Sequence, residues 1–208
     1  MNNVASTDIV DNEKVSLYSI TKKIMDLVLS FIGLILLIPV FLILAILVKL
    51  DSKGPVFYAH TRKGKNRSDI KIYKFRTMYS NSDEQKEEYY KNFKLDNDPR
   101  VTKIGDFLRR TSLDEIPQLA NVLKGDLSLV GPRPIVEKEI CKYGQYADKL
   151  FSVIPGVTGY WQAHGRSDTS YDERIEMDMY YIDNKSILLD IKIMFKTVIS
   201  VIKKEGAV

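Results

Sequence analysis

Hydrophobic residues form one unbroken stretch near the start of the chain. From Leu27 to Val48, about 22 residues carry no charge, which as a helix gives a length of roughly 33 Å against a hydrocarbon core of ~30 Å. The pattern predicts a membrane helix over residues 20–50, preceded by a polar tail at residues 1–19. A secretory signal is the alternative, but its apolar part would be only ~7 to 15 residues long.

The topology of this helix is open from the residues alone. Basic residues mark the cytoplasmic side of a membrane, and here they flank both ends, so both ends could lie on one side. Pro39 removes a helical hydrogen bond and favours a bend. A re-entrant helix broken near Pro39 and a kinked helix that crosses the membrane fit equally well, because membrane helices tolerate proline. The flanking basic residues are Lys14, Lys22, Lys23, Lys49, Lys53, Arg62 and Lys63.

After the membrane stretch the period changes to that of strands. The sequence "PVFYAHTRKGKNRSDIKIYKFRTM" has two β-rich runs around a turn-forming centre, which predicts a hairpin. The basic loop of this hairpin suits lipid headgroups or a nucleotide phosphate, and equally a solvated turn.

Helical spacing dominates the rest of the chain. The helical spacing of the apolar residues predicts one helix around Val101, Ile104, Phe107 and Leu108, and another in the last segment. In that last helix the polar residues share one face, so it could lie in the membrane interface or pack on the core. The predicted fold is therefore α+β and mainly helical, with residues 51–208 as one cytoplasmic domain carrying interfacial amphipathic helices. The polar face consists of Lys192, Lys196, Ser200 and Lys203.

Composition limits the chemistry. The chain has 208 residues, a formal charge of +4 and one cysteine, Cys141, so an internal disulfide is excluded. Its two histidines, His60 and His164, are too few for a histidine-rich zinc or iron site. A catalytic metal would have to be bound by oxygen, which points to magnesium.

Adjacent acids stand out in "RRTSLDEIPQLANVLKG". In a purely structural interpretation, Asp114 caps a helix that ends at Gly125, and Ser112 with Glu115 forms a capping box. In a functional interpretation, a helix start next to arginines attracts a diphosphate, which places Asp114 opposite a phosphorus atom. Residues adjacent along a regular helix point about 100° apart, so the two acids have different roles or the turn is irregular.

Two further segments combine turn residues with arginine. Arg133 lies between prolines in "GPRP", and Arg166 follows a glycine in "HGR". Prolines on both sides restrict the chain around Arg133 and so reduce the entropy lost on gripping an anion. A rigid surface loop with a chance arginine is the simpler alternative for each segment.

Four stretches together resemble one family. These are "YKFRTM", "DPRVTKIGDFLRRTSLDEIPQLANVLKGDLSLVGPRP", "IPGVTGYWQAHGR" and "LLDIKIMFKT". They are similar to the bacterial sugar transferase family of small monotopic phosphoglycosyl transferases, from about Lys22 to the end of the chain. The resemblance implies transfer of sugar 1-phosphate from a UDP-sugar to undecaprenyl phosphate, with release of UMP and a requirement for Mg²⁺.

The resemblance also implies residue roles. Asp114 would be the nucleophile, which becomes a covalent phosphosugar intermediate and shares the Mg²⁺, and Glu115 would assist proton handling. Arg109 matches a phosphate-binding arginine, and Arg133 and Arg166 match other arginines of the family near the active site.

The family favours the re-entrant topology and the inner leaflet of the bacterial cytoplasmic membrane, with the catalytic domain on the cytoplasmic face. Its helix bends at a Ser-Pro pair, whereas Pro39 here follows Ile38.

No nucleic-acid partner is expected, and a homodimer is left open. The segment "YWQAHGRSDTSYDERIEMDMYYI" and the ending "KKEGAV" are closer to the hexose-phosphate branch, which favours UDP-galactose or UDP-glucose. A membrane-associated nucleotide-sugar hydrolase and a non-catalytic adaptor are the rival hypotheses.

Overall fold

The computed structural model describes residues 17–80, 98–165 and 169–203, which form a mainly helical α+β fold. The helices are α1 (Leu17–Asp51), α2 (Lys103–Arg110), α3 (Gln118–Lys124), α4 (Ile140–Tyr143), α5 (Ala147–Phe151), α6 (Tyr160–His164), α7 (Tyr171–Asn184) and α8 (Ile187–Lys203). The strands are β1 (Phe57–Lys63), β2 (Asp69–Phe75), β3 (Ser128–Val130) and β4 (Gly156–Thr158). Short 3-10 turns lie at Lys65–Arg67, Leu113–Glu115, Glu137–Glu139 and Gly144–Tyr146.

Helix α1 is the one helix in these described ranges that is long and apolar enough to cross a membrane. It begins at Leu17, inside the predicted tail, and stays helical through Pro39 to Asp51. The interruption predicted near Pro39 is therefore absent. A single proline removes one backbone hydrogen bond, which an otherwise apolar helix tolerates without ending. The rest of the predicted tail, residues 1–16, lies outside the described residues.

One face of α1 packs on the rest of the protein along the whole helix. Near its start, Asp26 is buried and accepts a hydrogen bond of 2.7 Å from Ser128 Oγ. Near its end, Leu44 and Val48 pack in a buried cluster with Phe75. Both ends of the helix are thus held by the same domain, while the opposite face is apolar and exposed. That face includes Ile24, Phe31, Ile35, Leu36, Leu42, Ile43, Ile46 and Leu50.

A buried arginine closes the end of α1. Arg76, just after β2, donates to the carbonyl oxygens of Val48, Ser52, Lys53 and Pro55 at 2.6 to 3.3 Å. The last carbonyl groups of a helix have no partner within it and carry a partial negative charge. The guanidinium group satisfies these oxygens and joins the hairpin to the membrane helix.

The predicted hairpin is confirmed. Strands β1 and β2 are antiparallel, with Phe57 opposite Phe75 and Lys63 opposite Asp69. Because opposite residues share a face of the sheet, His60 and Arg62 of β1 lie on the same face as the even-numbered residues of β2. The predicted helix around Ile104 is also confirmed as α2, whose start is capped by Thr102.

Helix α8 has polar residues on its buried side. Asp190, Ile193 and Ser200 are buried, so Ser200 does not share an exposed face with the lysines as the sequence suggested. The Asp190 carboxylate finds its partners inside, where Tyr18 and Lys22 of α1 donate to it. The outer side exposes Leu188, Phe195, Val198 and Ile199. The main core lies between this helix, α7 and the β3–β4 pair, and includes Val130, Ile135, Tyr143, Phe151, Ile175, Met179 and Ile193.

Candidate active site

An irregular turn carries the two acids. Ser112 has a left-handed backbone (φ 55°), and the 3-10 turn Leu113–Glu115 follows it before α3 begins. The side chain of Ser112 makes no capping hydrogen bond, so the capping box is absent. Pro117 stands at the helix start, and the predicted end of α3 at Gly125 is confirmed by its left-handed backbone (φ 82°). The turn frees both carboxylates from helix capping.

One ammonium group faces both acids. Lys74 Nζ lies 3.4 Å from Asp114 Oδ2 and makes a shorter hydrogen bond to Glu115 Oε1. Two neighbouring carboxylates would diverge on a regular helix, so their convergence on one nitrogen depends on the 3-10 turn. Asp114 is 7% exposed, which makes it a buried acid with a shared cation.

The environment of Asp114 disfavours its ionised form. Burial raises the pKa of its carboxyl group above 3.8, and the charge of Glu115 raises it further. The charges of Lys74 and Arg109 lower the pKa, but they do not offset the burial. The site therefore holds a carboxylate that is less stabilised than one in water, as in nucleophiles and general bases.

The predicted arginines are distributed around these acids. Arg109, in the last turn of α2, donates from Nε to Thr77 Oγ1 at 3.0 Å and acts electrostatically on Asp114. Arg133 lies in the turn between β3 and the Glu137–Glu139 segment, with its guanidinium carbon 5.9 Å from the ring centre of Trp161. Arg166 lies outside the described residues.

A cleft of about 350 Å³, open to solvent, runs from Lys74 and Glu115, beside Asp114, to Arg133. Its floor is the shared face of the β1–β2 hairpin, and its walls come from α3, the "GPRP" turn, β4 and α6. Ligand sites in proteins commonly have such a mix of polar and apolar walls. The lining residues are His60, Arg62, Ile72, Lys74, Glu115, Gln118, Arg133, Pro134, Gly156, Val157 and Gln162.

Lys74 and Arg62 are the residues that sequence reasoning missed. Strand side chains alternate between faces, so Lys74 continues the row of Ile70 and Ile72, both of which are buried. A lysine on the buried face of a strand requires a carboxylate partner. That anomaly was visible in "DIKIYKF", although the partner was not.

The acids fit magnesium only in combination with a ligand. Among the described residues no group of three or more acid, histidine or cysteine side chains could hold a metal ion. Mg²⁺ commonly takes one or two carboxylates plus substrate phosphates and water. Asp114 with Glu115 supplies such a pair, provided that the Lys74 ammonium gives way.

Comparisons with known proteins cover nearly the whole chain. Residues 17–204 match the family model described as bacterial sugar transferase. The UDP-galactose-lipid carrier transferase of Erwinia amylovora is 44% identical over 89% of this chain and 41% of its own length. The undecaprenyl-phosphate galactose phosphotransferase of Salmonella typhimurium gives the same values.

A third relative is similar in size. The exopolysaccharide production protein ExoY of Sinorhizobium fredii is 42% identical over 90% of this chain and 88% of its own length. The chain spans about two fifths of the length of the first two relatives and most of the third. With the family model matched over nearly the whole chain, the protein belongs to the bacterial sugar transferase family.

Proposed function

We propose that the protein transfers sugar 1-phosphate from a UDP-sugar to undecaprenyl phosphate and releases UMP, as the first membrane step in the synthesis of a glycoconjugate such as an exopolysaccharide. The observation that carries this proposal is a buried carboxylate, Asp114, beside Glu115, Lys74 and Arg109 at one end of an open cleft. The names of two relatives, which specify galactose, favour UDP-galactose over UDP-glucose as the donor.

In the first half of the reaction, Asp114 attacks the phosphorus that bears the sugar. A bond forms between the Asp114 carboxylate oxygen and phosphorus, and the bond from phosphorus to the bridging oxygen breaks. UMP leaves with that electron pair. The cations Lys74 and Arg109 offset the repulsion between the carboxylate and the anionic donor.

In the second half, an oxygen of undecaprenyl phosphate attacks the same phosphorus. The bond between Asp114 and phosphorus breaks and returns the carboxylate, which completes a ping-pong cycle. Glu115, within reach of the same ammonium group as Asp114, accepts or returns protons as the lipid phosphate enters. Bound Mg²⁺ would neutralise phosphate charge here, held by Asp114 with Glu115 beside it.

The membrane position proposed for this chemistry rests on α1 and α8. Contacts at Asp26 and at Val48 keep both ends of α1 against one domain, which supports a re-entrant helix in one leaflet rather than a crossing. Pro39 lets such a helix bend without interrupting it. The exposed apolar residues of α8, with Lys192 and Lys196 beside them, suit the interface of the inner leaflet on the cytoplasmic face.

Intact mass measurement tests the mechanism. The full chain in detergent or a lipid disc is mixed with UDP-galactose and Mg²⁺ without a lipid acceptor, then trapped under conditions that preserve acyl phosphates. We expect an added mass of one hexose phosphate, located on Asp114 and absent from Asp114→Asn. Asp106→Asn, an exposed acid of α2, is the matched control and should acquire the mass. An active preparation without the adduct contradicts the mechanism.

The same preparation identifies the donor and excludes hydrolysis. UMP release is followed with a set of UDP-sugars in the presence and absence of undecaprenyl phosphate. Turnover that requires the lipid supports the transferase. Multiple turnovers that release sugar phosphate without lipid would instead identify a nucleotide-sugar hydrolase.

A further inference from the structure

Three arginines gather at the end of the cleft opposite the acids. Arg62 and Arg133 line the cleft, and Arg174 of α7 lies behind them. The nearest Arg62 and Arg174 nitrogens are each 3.6 Å from oxygens of Glu139, so the two guanidinium groups meet at one carboxylate. Burial, together with the charges of Arg133 and Arg174, holds the pKa of Arg62 below its usual range.

Arg174 is the most unusual member of this cluster. It is 8% exposed, and its Nε and Nη2 atoms are buried without a hydrogen-bond partner in the part of the chain that the structure describes. Its nearest acid there besides Glu139 is Asp178, 3.9 Å from Nε. A buried guanidinium group that lacks hydrogen bonds is costly, and such groups in native proteins need an explanation.

The charges around the cluster are unbalanced. Three guanidinium groups face two carboxylates, Glu139 and Asp178, in a partly desolvated region. The ring of Trp161 lies 4.6 Å from Arg174 and 5.9 Å from Arg133, so an aromatic face rather than a further acid fills the space between them. An anion that enters the cleft and binds Arg62 and Arg133 would restore the charge balance.

The position of the cluster indicates which anion it suits. With the reacting phosphate at Asp114, as proposed, the second phosphate of a diphosphate donor would lie in the cleft that Glu115 shares with Arg62 and Arg133. Arg62 is five residues along β1 from Phe57, or roughly 16 Å from the end of the hairpin that joins α1. A lipid phosphate, which arrives from the membrane helix, would meet the acids first.

We propose that Arg62 and Arg133, backed by Arg174, bind the phosphate group of the nucleoside monophosphate that leaves. This inference rests on the proposed function for the identity of the nucleotide. Arg62 and Arg133 contact the phosphate, and Arg174 is a positioning residue that supplies charge from behind them. The cluster holds the departing phosphate while the acids hold the sugar phosphate.

Trp161 offers a direct test, because it is the only tryptophan in the chain and lies against two of these arginines. The full chain in lipid discs is titrated with UMP, with uridine and with a polyprenyl phosphate, and the emission of Trp161 is followed. We expect a saturable change with UMP and a much weaker one with uridine. Arg62→Gln should weaken UMP binding at least about tenfold, since a charge-assisted hydrogen bond contributes on that order. Arg174→Gln removes only a charge behind the contact residues, so it should weaken UMP binding by a smaller factor.

Controls separate binding from folding. Arg67→Gln, an exposed arginine in the turn of the same hairpin, should bind UMP like the parent chain. Arg62 is partly exposed, so its variant tests the proposal even if Arg174→Gln does not fold. Equal UMP affinity in Arg62→Gln and Arg67→Gln would overturn the proposal. So would variants that retain UMP affinity but lose polyprenyl phosphate, because the cluster would then serve the lipid.

The two proposals fail independently. Binding of UMP is measured without turnover, so a chain that binds UMP through these arginines but transfers no sugar contradicts the proposed function alone. Normal transfer with unchanged UMP affinity in the arginine variants contradicts this inference alone.

Discussion

Two buried aspartates, Asp114 and Asp190, differ in how many hydrogen bonds they receive. Asp190 of α8 is fully buried and accepts from Tyr181 at 2.7 Å, Lys22 at 2.9 Å and Tyr18 at 3.1 Å. Asp114 has one hydrogen-bonded cation, at 3.4 Å, which it shares with Glu115. A carboxylate that accepts hydrogen bonds from three donors has a structural role. A buried carboxylate that shares a single ammonium group with a second acid remains available for chemistry.

The largest expected effect is a loss of activity when Asp114 is replaced, in contrast to a loss of folding stability when Asp190 is replaced. Asp114→Asn should lower turnover at least about 10³-fold because it removes the proposed nucleophile, with no loss of folding stability. Asp190→Ala should destabilise the protein by about 3–5 kcal/mol because it removes the acceptor shared by Lys22 and two tyrosine hydroxyl groups, and leaves Lys22 with only Asp26, 4.0 Å away. Kinetics with thermal melting of both variants measures the contrast. A melting loss as large in Asp114→Asn as in Asp190→Ala would contradict it.

Lys74→Gln sharpens the comparison by removing the ammonium group that donates to both acids. Because Lys74 lowers the pKa of Asp114, its loss should raise that pKa and move the acid limb of the rate profile to higher pH. Activity at neutral pH should fall and partly recover in alkaline buffer. Lys71→Gln, on the exposed side of the same strand, is the control. A uniform loss at every pH would mean that Lys74 acts only by positioning.

The stability of Asp114→Asn should depend on pH in a defined direction. The folded state holds the Asp114 proton more tightly than the unfolded chain does, so this acid destabilises the fold as pH rises through its folded pKa. Asp114→Asn should therefore melt at a higher temperature than the parent at neutral pH. The difference should vanish below pH 3.8, the ordinary value, where both chains are uncharged at this position. Melting curves across this range give the answer.

The smallest expected effect comes from the loss of one hydrogen-bond donor to Asp190. Tyr181→Phe removes one of three hydrogen bonds and should cost about 1.5–3 kcal/mol, less than loss of the carboxylate. Turnover at a temperature where the variant is folded should stay within about twofold of the parent, because Tyr181 belongs to the structural acid. A larger loss of turnover than of stability would place Asp190 in the catalytic machinery.

The sequence pattern alone predicted those elements that depend on residues close together along the chain. The apolar run before Val48 predicted α1, alternation around the "RKGKNRSD" turn predicted the hairpin, and Gly125 predicted the end of α3. The helix break at Pro39 was wrong, because proline lowers helix stability without dictating where a long apolar helix ends.

Contacts between distant residues explain what the sequence did not reveal. Lys22 pairs with Asp190, 168 positions away, so a residue interpreted as a topology signal is also an ion-pair partner. The residues next to Asp114 and Glu115 in the sequence were enough to single out these two acids. The sequence did not reveal that Lys74, 40 positions before Asp114, contacts them. Periodicity gives the face on which a residue lies and leaves its partner undetermined.

Three consecutive residues, Lys74, Phe75 and Arg76, have consequences for how the enzyme sits in a bilayer. The first faces the acids, the second packs against α1, and the third grips the carbonyl groups at the end of α1. Insertion depth and the height of the reacting carboxylate are thereby set together. A shift of α1 by one helical turn would move the acids by about 5 Å relative to the phosphate plane. A change in bilayer thickness should therefore change the rate of the proposed reaction.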